Sequence, residues 1–410
     1  MSETSPSIVS RLGHEGDGLV ETPQGVIPVF GALPGDEISL AADGTPAIAR
    51  RLNSERADPP CPHFGTCGGC VAQHMAPALY AAWKRDLLAT ALARQGVTAP
   101  IDETIVSPPA SRRRLVLTAV GGRGGPRLGF HRRRSSDLVE INQCTIADPR
   151  IVRALPALRT LAAVLAPSVG ELRITVTATQ QGLDVSIERS KDAGSIPAAA
   201  RQAAVSQCAP AGIVRLTVDR DPVATLAEPL IDTPAGPLVF PPGVFVQAVA
   251  EAEAAISAII TAAFHKTKSA ADLFCGIGTF TFAAARSART LAVDADRTAI
   301  DALKASARRI KGVKPVETRV RDLFAEPLSP MELKGFDAVA LDPPRAGAKA
   351  QCEAIAASRV PRVVMVSCNP ATLARDLAIL TAAGFRIERL TPIDQFLWSP
   401  HLEAVAVLQR

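Results

Sequence analysis

Aromatic residues are scarce in this chain. They make up 4% of its 410 residues, and tyrosine occurs once, at Tyr80. Proteins that bind single-stranded nucleic acids by successive base stacking present several aromatic side chains along one groove. The composition therefore argues against an extended base-stacking surface.

The chain also lacks a long apolar run. Hydrophobic residues account for 47% of it and charged residues for 21%, but no apolar stretch approaches the ~20 residues that span a bilayer. The N-terminal segment, MSETSPSIVSRLG, does not have the charged-then-apolar layout of a secretory signal. We therefore predict a cytoplasmic protein with no membrane partner, whose eight cysteines are thiols or metal ligands.

The length and the residue patterns predict several domains. A chain of 410 residues is too long for one ordinary hydrophobic core. Residues 1–50 alternate apolar and polar residues between Gly and Pro turns, which predicts a small β-barrel. From about Ser269 onward, short apolar strands alternate with Ala-rich helices, which predicts an α/β fold with a parallel, doubly wound sheet. The last two apolar segments are too close in sequence for a crossover helix, so we expect the final strand to run antiparallel.

Positive charge is concentrated in one segment. The net charge is only +5, yet eight arginines lie between Arg112 and Arg134. Such a cluster is a candidate phosphate-binding surface, with a solvated loop as the alternative.

Four cysteines flank this arginine-rich segment. Cys61, Cys67 and Cys70 are spaced C-x5-C-x2-C, and Cys144 follows much later in the chain. Four thiolates can hold either a tetrahedral zinc ion or an iron–sulfur cluster. The spacing leaves both possibilities open, although a zinc ribbon normally shows two C-x2-C pairs.

A glycine-rich turn follows the first strand of the predicted parallel sheet. In DLFCGIGTF, Gly276 and Gly278 allow the backbone to approach a ligand closely. Asp272 lies in this strand and Asp294 ends the next one, where a carboxylate can bind a ribose diol. Position 281 is Thr281 and not the small residue of a dinucleotide fingerprint. The pattern favours S-adenosylmethionine (SAM) over NAD, with a turn that binds no ligand as the alternative.

Three chemically active side chains fall at the edge of the sheet where ligands bind. Asp342 and Cys368 end neighbouring strands, and Glu403 begins the final antiparallel strand, so the topology brings them together. A thiol and a carboxylate beside a methyl donor indicate covalent catalysis on a weak nucleophile, such as carbon 5 of a pyrimidine. Cys368 would add to carbon 6, and Glu403 would accept the proton from carbon 5. Each residue also has a structural alternative when it is considered alone. Cys368 could be a buried packing residue, Asp342 a turn cap and Glu403 a charge at a strand edge.

Four motifs occur in the order known from one enzyme family: DLFCGIGTF, LDPPRAG, SCNPATLARDL and the terminal HLE. Over nearly its whole length the chain resembles the iron–sulfur RNA 5-methyluridine methyltransferases, closest to their 23S rRNA (uracil-5-)-methyltransferase branch. The resemblance implies three domains. They are a TRAM-like, RNA-binding OB-fold barrel at 1–55, a central α+β iron–sulfur domain at 56–235 and a Rossmann-like class I SAM-dependent methyltransferase domain at 236–410.

The resemblance also implies roles for individual residues. Cys368 is the expected nucleophile and Glu403 the expected proton acceptor. The expected contacts to SAM are Gln247, Phe274, Gly276, Gly278, Thr279, Asp294, Asp322 and Asp342. A 4Fe–4S cluster is expected on Cys61, Cys67, Cys70 and Cys144, with zinc as the alternative.

The same resemblance identifies the expected partner as RNA, with 23S rRNA as the first choice, and not DNA. We expect a monomer. The alternative functions are a transfer-RNA uridine-5-methyltransferase and a redox or radical iron–sulfur enzyme. The C-x5-C-x2-C spacing differs from the C-x3-C-x2-C typical of radical SAM enzymes.

Overall fold

The computed structural model describes residues 7–41, 43–121, 124–165, 170–190 and 194–410. Arg123, one of the clustered arginines, lies outside the described residues. None of the described helices is long and apolar enough to cross a bilayer.

The N-terminal segment forms an antiparallel sheet of five strands: β1 (Ser7–Leu12), β2 (Gly18–Thr22), β3 (Gly25–Val29), β4 (Glu37–Leu40) and β5 (Pro46–Arg50). The strand order is β3-β2-β1-β4-β5, and the two edge strands contact each other, so the sheet curls on itself. Its concave side buries Val9, Val20 and Ile38. The predicted small β unit is confirmed as a curled sheet, while its assignment as a TRAM-like barrel stays a prediction.

Helix α1 (Pro77–Arg94) and the short strand β6 (Ile105–Val106) come next. Leu88 and Leu92 of α1 pack into the apolar core of the C-terminal domain, and β6 forms an edge of its sheet. Both elements belong to the range 56–235 that the sequence assigns to a central domain. That segment thus contributes a helix and a strand to the C-terminal fold.

The central sheet has seven strands: β7 (Arg114–Val120), β8 (Arg127–His131), β9 (Leu138–Glu140), β10 (Glu171–Ala178), β11 (Leu183–Glu188), β12 (Ile213–Val218) and β13 (Asp221–Thr225). Helices α2 (Pro149–Leu165) and α3 (Ala198–Cys208) pack against it. The strand order is β13-β12-β11-β10-β7-β8-β9, and the β10–β11 hairpin predicted from alternation is confirmed. In the described part of the chain this region is α+β, as expected.

The C-terminal domain follows a short hairpin, β14 (Leu230–Ile231) and β15 (Leu238–Val239). Its strands are β16 (Ser269–Leu273), β17 (Arg289–Asp294), β18 (Val316–Val320), β19 (Ala338–Leu341), β20 (Arg362–Ser367), β21 (Arg386–Asp394) and β22 (Glu403–Gln409). Its helices are α4 (Ala250–Ala263), α5 (Thr281–Ala285), α6 (Arg297–Ala307), α7 (Pro330–Leu333), α8 (Lys349–Ala356) and α9 (Pro370–Ala382).

The strand order of this sheet is β18-β17-β16-β19-β20-β22-β21-β6. Strands β16 to β20 pair in parallel, whereas β22 runs antiparallel to both β20 and β21. The two faces of β20 show why its sequence is a continuous apolar run. Val363 and Met365 pack on the face of α9, and Val364 and Val366 pack on the face of α4. The predicted doubly wound sheet and its antiparallel final strand are both confirmed.

A buried ion pair joins the central sheet to the C-terminal domain. Arg113 donates through Nη2 to Glu253 Oε2 at 2.5 Å and through Nε to the carbonyl oxygen of Gln247 at 3.0 Å. The Arg113 side chain is therefore not available to bind a phosphate. For this residue the predicted phosphate-binding role of the arginine cluster is wrong. Arg133 is also engaged, in a two-pronged pair with Asp17 at 2.7 and 2.8 Å. Part of the arginine cluster thus serves the assembly of the three regions.

We expect Arg113→Met to lower the free energy of unfolding by about 3 kcal/mol, because it leaves the Glu253 carboxylate buried without its partner. Urea titration followed by circular dichroism measures the change. The matched control is Arg127→Met on the exposed side of β8, which should stay within about 0.5 kcal/mol of the unmodified protein. Equal stability of the two variants would contradict a structural role for Arg113.

Candidate active site

A cavity of about 620 Å³ opens at the carboxyl ends of the parallel strands. It brings together nine of the ten residues predicted for catalysis and cofactor binding: Gln247, Phe274, Gly276, Thr279, Asp294, Asp322, Asp342, Cys368 and Glu403. Gly278 is not among the lining residues. The individual roles of these residues stay predictions, but their convergence in one cavity is what the topology requires.

Gly278 serves the packing of the turn. Its φ is +94°, and a Cβ atom at this position would lie 2.8 Å from the side chain of Leu303 in α6. Gly276, with φ +52°, donates its backbone N–H to Asp294 Oδ2 at 2.8 Å. Gly278 therefore allows α6 to approach the turn, and Gly276 links the turn to the end of β17.

Two aromatic rings and two acids form one end of the cavity. Phe274 and Phe324 lie with their ring centroids 5.3 Å apart, and Asp322 Oδ1 accepts the backbone N–H of Phe324 at 2.9 Å. Phe274 has a φ of +62°, a costly conformation for a residue with a side chain, and such strain is concentrated at functional sites. Apolar rings beside the carboxylates of Asp294 and Asp322 suit a nucleoside, which has a flat base and a ribose diol.

The register of β20 and β22 sets the geometry at the other end. Ser367 pairs with Ala404, so the adjoining residues Cys368 and Glu403 are neighbours across the strand pair. Cys368 is half-buried, and Glu403 is only 2% exposed. This places the predicted nucleophile and the predicted proton acceptor side by side on the cavity wall.

The electrostatics of these groups reflect burial among like charges. Burial, with a contribution from Asp294, raises the pKa of Asp342 to about 7 against the hydrogen bond from Gln247. Burial and the nearby Asp342 raise the pKa of Glu403 well above its usual range. Burial, Glu403 and Asp342 also raise the pKa of Cys368 to about 11, while Arg345 opposes the shift. A cation in the cavity would lower all three pKa values.

Two buried amides connect the acids. Gln395 Nε2 donates to Glu403 Oε2 and to Gln247 Oε1, both at 2.7 Å. Gln247 Nε2 in turn donates to Asp342 Oδ2 at 3.0 Å. Within the described residues, Glu403 Oε1 is buried and has no hydrogen-bond partner. Glu403 is thus held by one oxygen, and the other is open to accept a proton.

Sequence reasoning missed Gln395 because nothing in the surrounding PIDQF marks it as part of a site. It also missed Arg345, although the residue belongs to LDPPRAG and lines the cavity. Arg345 Nη2 lies 3.3 Å from His401 Nδ1, and its carbonyl oxygen accepts a hydrogen bond from Asn369 Nδ2 at 3.0 Å. The available signal was a basic residue three positions after Asp342 in the same motif.

A second cavity, of about 260 Å³, is lined by all four predicted metal ligands: Cys61, Cys67, Cys70 and Cys144. Gly69 donates its backbone N–H to Cys67 Sγ at 3.4 Å, and Arg112 and Arg114 also line the space. Backbone donors and guanidinium groups stabilise thiolates, so the donor set fits a thiolate-bound group. The geometry does not match a single metal ion. The described residues contain no cluster of three or more His, Cys, Asp or Glu side chains placed to hold one.

The chain is similar to known proteins in both sequence and fold. A family model described as tRNA (Uracil-5-)-methyltransferase matches residues 239–410. An RNA methyltransferase of Rhizobium meliloti (strain 1021), named as uncharacterized, is 44% identical over 99% of this chain and 100% of its own length. The 23S rRNA (uracil(1939)-C(5))-methyltransferase RlmD of Chromohalobacter salexigens is 32% identical over 98% of this chain and 88% of its own length.

Among solved structures, the tRNA (uracil-54, C5)-methyltransferase of Pyrococcus abyssi, in complex with S-adenosyl-L-homocysteine, superposes with a TM-score of 0.73. The alignment covers 98% of this chain and 100% of that one, at 20% sequence identity. This similarity shows a common fold, which is the class I methyltransferase fold with additional N-terminal regions.

The pKa of Cys368 can be tested by its rate of alkylation with iodoacetamide between pH 8 and 11, followed by mass spectrometry of the cysteine peptides. Since only the thiolate reacts, the rate should rise across this whole range. Glu403→Gln should speed the reaction by about threefold at fixed pH, equivalent to about half a pKa unit, and Arg345→Gln should slow it by a similar factor. A plateau near pH 9 in the unmodified protein would contradict this description of the site.

Proposed function

The chain belongs to the RNA (uracil-5-)-methyltransferase family, and from this premise we propose that it methylates carbon 5 of a uridine by covalent catalysis. Cys368 is the nucleophile, Glu403 the proton acceptor and SAM the methyl donor. The observation that carries the proposal is the β20–β22 register, which sets Cys368 beside Glu403 in the cavity that also holds Asp342 and the glycine turn.

The two ends of the cavity differ, and each suits a different part of SAM. Phe274, Phe324, Asp294 and Asp322 provide the apolar surface and the acceptors that adenosine needs. Asp342 follows β19, which lies between β16 and β20 in the sheet, and its carboxylate would stabilise a positively charged methyl donor. The bound cofactor supplies an electrophilic methyl group to the reaction.

The positive charge of the cofactor also prepares the thiol. In the structure, Cys368 has a pKa of about 11 because of its burial and its acidic neighbours. Asp342 and Glu403 would face a positively charged donor that offsets their charges, and Arg345 acts in the same direction. Cys368 would therefore gain thiolate character when the donor is bound.

The bonds change in three steps. The Cys368 thiolate adds to carbon 6 of the uracil, and the electron pair of the 5,6 double bond moves into an enolate. Carbon 5 of the enolate would then take the electrophilic methyl group that the donor supplies, and the donor would leave as a neutral thioether. Glu403 then accepts the proton from carbon 5, and the freed electron pair restores the double bond and expels the Cys368 thiolate.

Glu403 Oε1 is the atom that accepts the proton, because Oε2 already receives the hydrogen bond from Gln395. Burial and Asp342 raise the pKa of Glu403 well above its usual range, and a positive charge in the cavity would lower it toward the ionised form that accepts a proton. The amides of Gln395 and Gln247 keep the acceptor and Asp342 in one hydrogen-bonded line.

We propose 23S rRNA as the substrate. The relative from Chromohalobacter salexigens is named as a 23S rRNA methyltransferase and is similar over almost the whole chain. The transfer-RNA enzyme from Pyrococcus abyssi has the same fold but only 20% identity. The target uridine must leave its stack to reach Cys368, so base flipping is part of the proposal.

We also propose that Cys61, Cys67, Cys70 and Cys144 hold a 4Fe–4S cluster. The four thiols line one cavity, and backbone and guanidinium donors surround them. We propose a structural role for the cluster, because the reaction proposed at Cys368 involves no electron transfer.

The covalent step is tested with 5-fluorouridine RNA and SAM. After methyl transfer the fluorine cannot leave as a cation, so a denaturation-stable protein–RNA adduct should form with 23S rRNA transcripts and not with tRNA transcripts. Cys368→Ala should form none. Glu403→Gln should form the adduct even on unmodified RNA, because the proton stays on carbon 5. An adduct in Cys368→Ala would refute the mechanism, and an adduct with tRNA alone would identify the alternative substrate.

The cluster is tested by metal analysis after anaerobic purification. We expect about four iron atoms and four sulfides per chain, with visible absorption near 400 nm. Cys144→Ala should lose them, whereas the control Cys208→Ala, in the buried part of α3, should retain them. One zinc ion per chain and no iron would overturn the proposal in favour of the alternative.

A further inference from the structure

One lysine of the described chain is completely enclosed. Lys84, in α1, has a side-chain exposure of 0%. Its Nζ atom donates to Asp394 Oδ1 at 2.8 Å and to the carbonyl oxygen of His401. It also lies 5.5 Å from the ring centroid of Tyr80 and 5.7 Å from that of Trp83. The ammonium group is thus shielded from solvent and bound by protein groups alone.

These contacts converge on residues 395–402, which connect β21 to β22 and are called the base loop below. Asp394 is the last residue of β21, and His401 lies two residues before Glu403. A single ammonium group therefore holds both ends of the base loop.

Tyr80, one turn earlier in α1, holds the middle of the same loop. Its hydroxyl donates to Asp394 Oδ2 and accepts the backbone N–H of Trp398 at 2.7 Å. Trp398 has a φ of +59°, a strained conformation that requires such support. From the opposite side, the carbonyl oxygen of Trp398 accepts the backbone N–H groups of Val71 and Ala72, at 2.7 and 3.2 Å.

The base loop contains or adjoins the groups that orient the proton acceptor. Gln395 directly follows Asp394 and donates to Glu403 Oε2. Phe396 and His401, whose ring centroids are 5.8 Å apart, both line the cavity. A shift of either loop end would therefore move Glu403 Oε1 relative to the substrate, whereas Cys368 is fixed by β20 and α9 outside this loop.

A purely structural contact between α1 and β21 would not need a charge here. An apolar side chain fills such a space without the desolvation of an ammonium and a carboxylate, and apolar replacements of buried ion pairs are often well tolerated. An apolar side chain cannot, however, bind a carboxylate and a carbonyl oxygen at once. The directional bonds are what Lys84 adds.

We propose that Lys84, assisted by Tyr80 and Asp394, is a positioning residue for proton removal by Glu403. The proposal rests on the proposed function. The Lys84 side chain has no exposed surface and does not line the cofactor cavity, so it acts through the base loop. Addition of Cys368 and methyl transfer involve no proton transfer to Glu403 Oε1, whereas the final step requires it. Loss of Lys84 should therefore affect the end of the reaction and spare its beginning.

The experiment compares two rates in Lys84→Met under single-turnover conditions. The rate of adduct formation on 5-fluorouridine 23S rRNA with SAM reports addition and methyl transfer, and it should stay within about twofold of the unmodified enzyme. The rate of release of methylated, unmodified RNA reports proton removal, and it should fall by about ten- to a hundredfold. A covalent adduct should accumulate on unmodified RNA during the reaction.

Two controls separate the possible outcomes. Lys266→Met changes an exposed lysine near the opposite edge of the sheet and should leave both rates unchanged. Failure of the unmodified enzyme to form the fluorouridine adduct would refute the proposed function itself. Normal adduct formation by the unmodified enzyme, together with equal slowing of both rates in Lys84→Met or no slowing at all, would refute only the positioning role.

Tyr80→Phe provides a second test that conserves shape, in case Lys84→Met does not fold. It removes only the hydroxyl that joins Asp394 to Trp398. The release rate should fall by about three- to tenfold with adduct formation unchanged, a smaller effect of the same kind. Unchanged release in a folded Tyr80→Phe variant would count against the proposal.

Discussion

The arrangement of the site depends on the reversed final strand. Parallel strands end at one edge of the sheet, and residues from β16, β17, β19 and β20 meet there. Because β22 runs antiparallel beside β20, its first residue reaches the same edge. Glu403 thereby becomes the neighbour of Cys368, although 34 residues lie between them in the chain. A parallel final strand would have put Glu403 at the opposite edge of the sheet.

The second constraint is the enclosure of like charges. Asp342, Glu403 and Cys368 share one cavity, and burial disfavours the charged form of each. A cation bound in this cavity would offset the three charges, which is a physical reason for the proposed use of a positively charged methyl donor. The amides of Gln247 and Gln395 hold the acids in place without adding charge.

Buried charges also join the regions of the chain. Arg113 connects the central sheet to Glu253 in α4, and Lys84 connects α1 to Asp394 at the end of β21. The wall between the two cavities is shared, since Phe396 and His401 line both of them. The cysteine-rich region, the central sheet and the methyltransferase domain are thus structurally continuous around the base loop. The linear division of the chain at 56 and 236 does not capture this continuity, because α1 and β6 pack with the C-terminal sheet.

Much of this could be predicted from the sequence. Local patterns identified the parallel strands, the antiparallel end and the β10–β11 hairpin, because hydrophobic period and turn residues are properties of short segments. The strand ends then indicated that Cys368, Asp342 and Glu403 would meet, because topology follows from the order of elements. Only the tertiary structure showed that Gln395 bridges two acids, that Gly278 packs against Leu303 and that Arg113 and Lys84 are buried. Burial, hydrogen-bond partners and pKa depend on groups distant in the chain, and no local pattern encodes those neighbours.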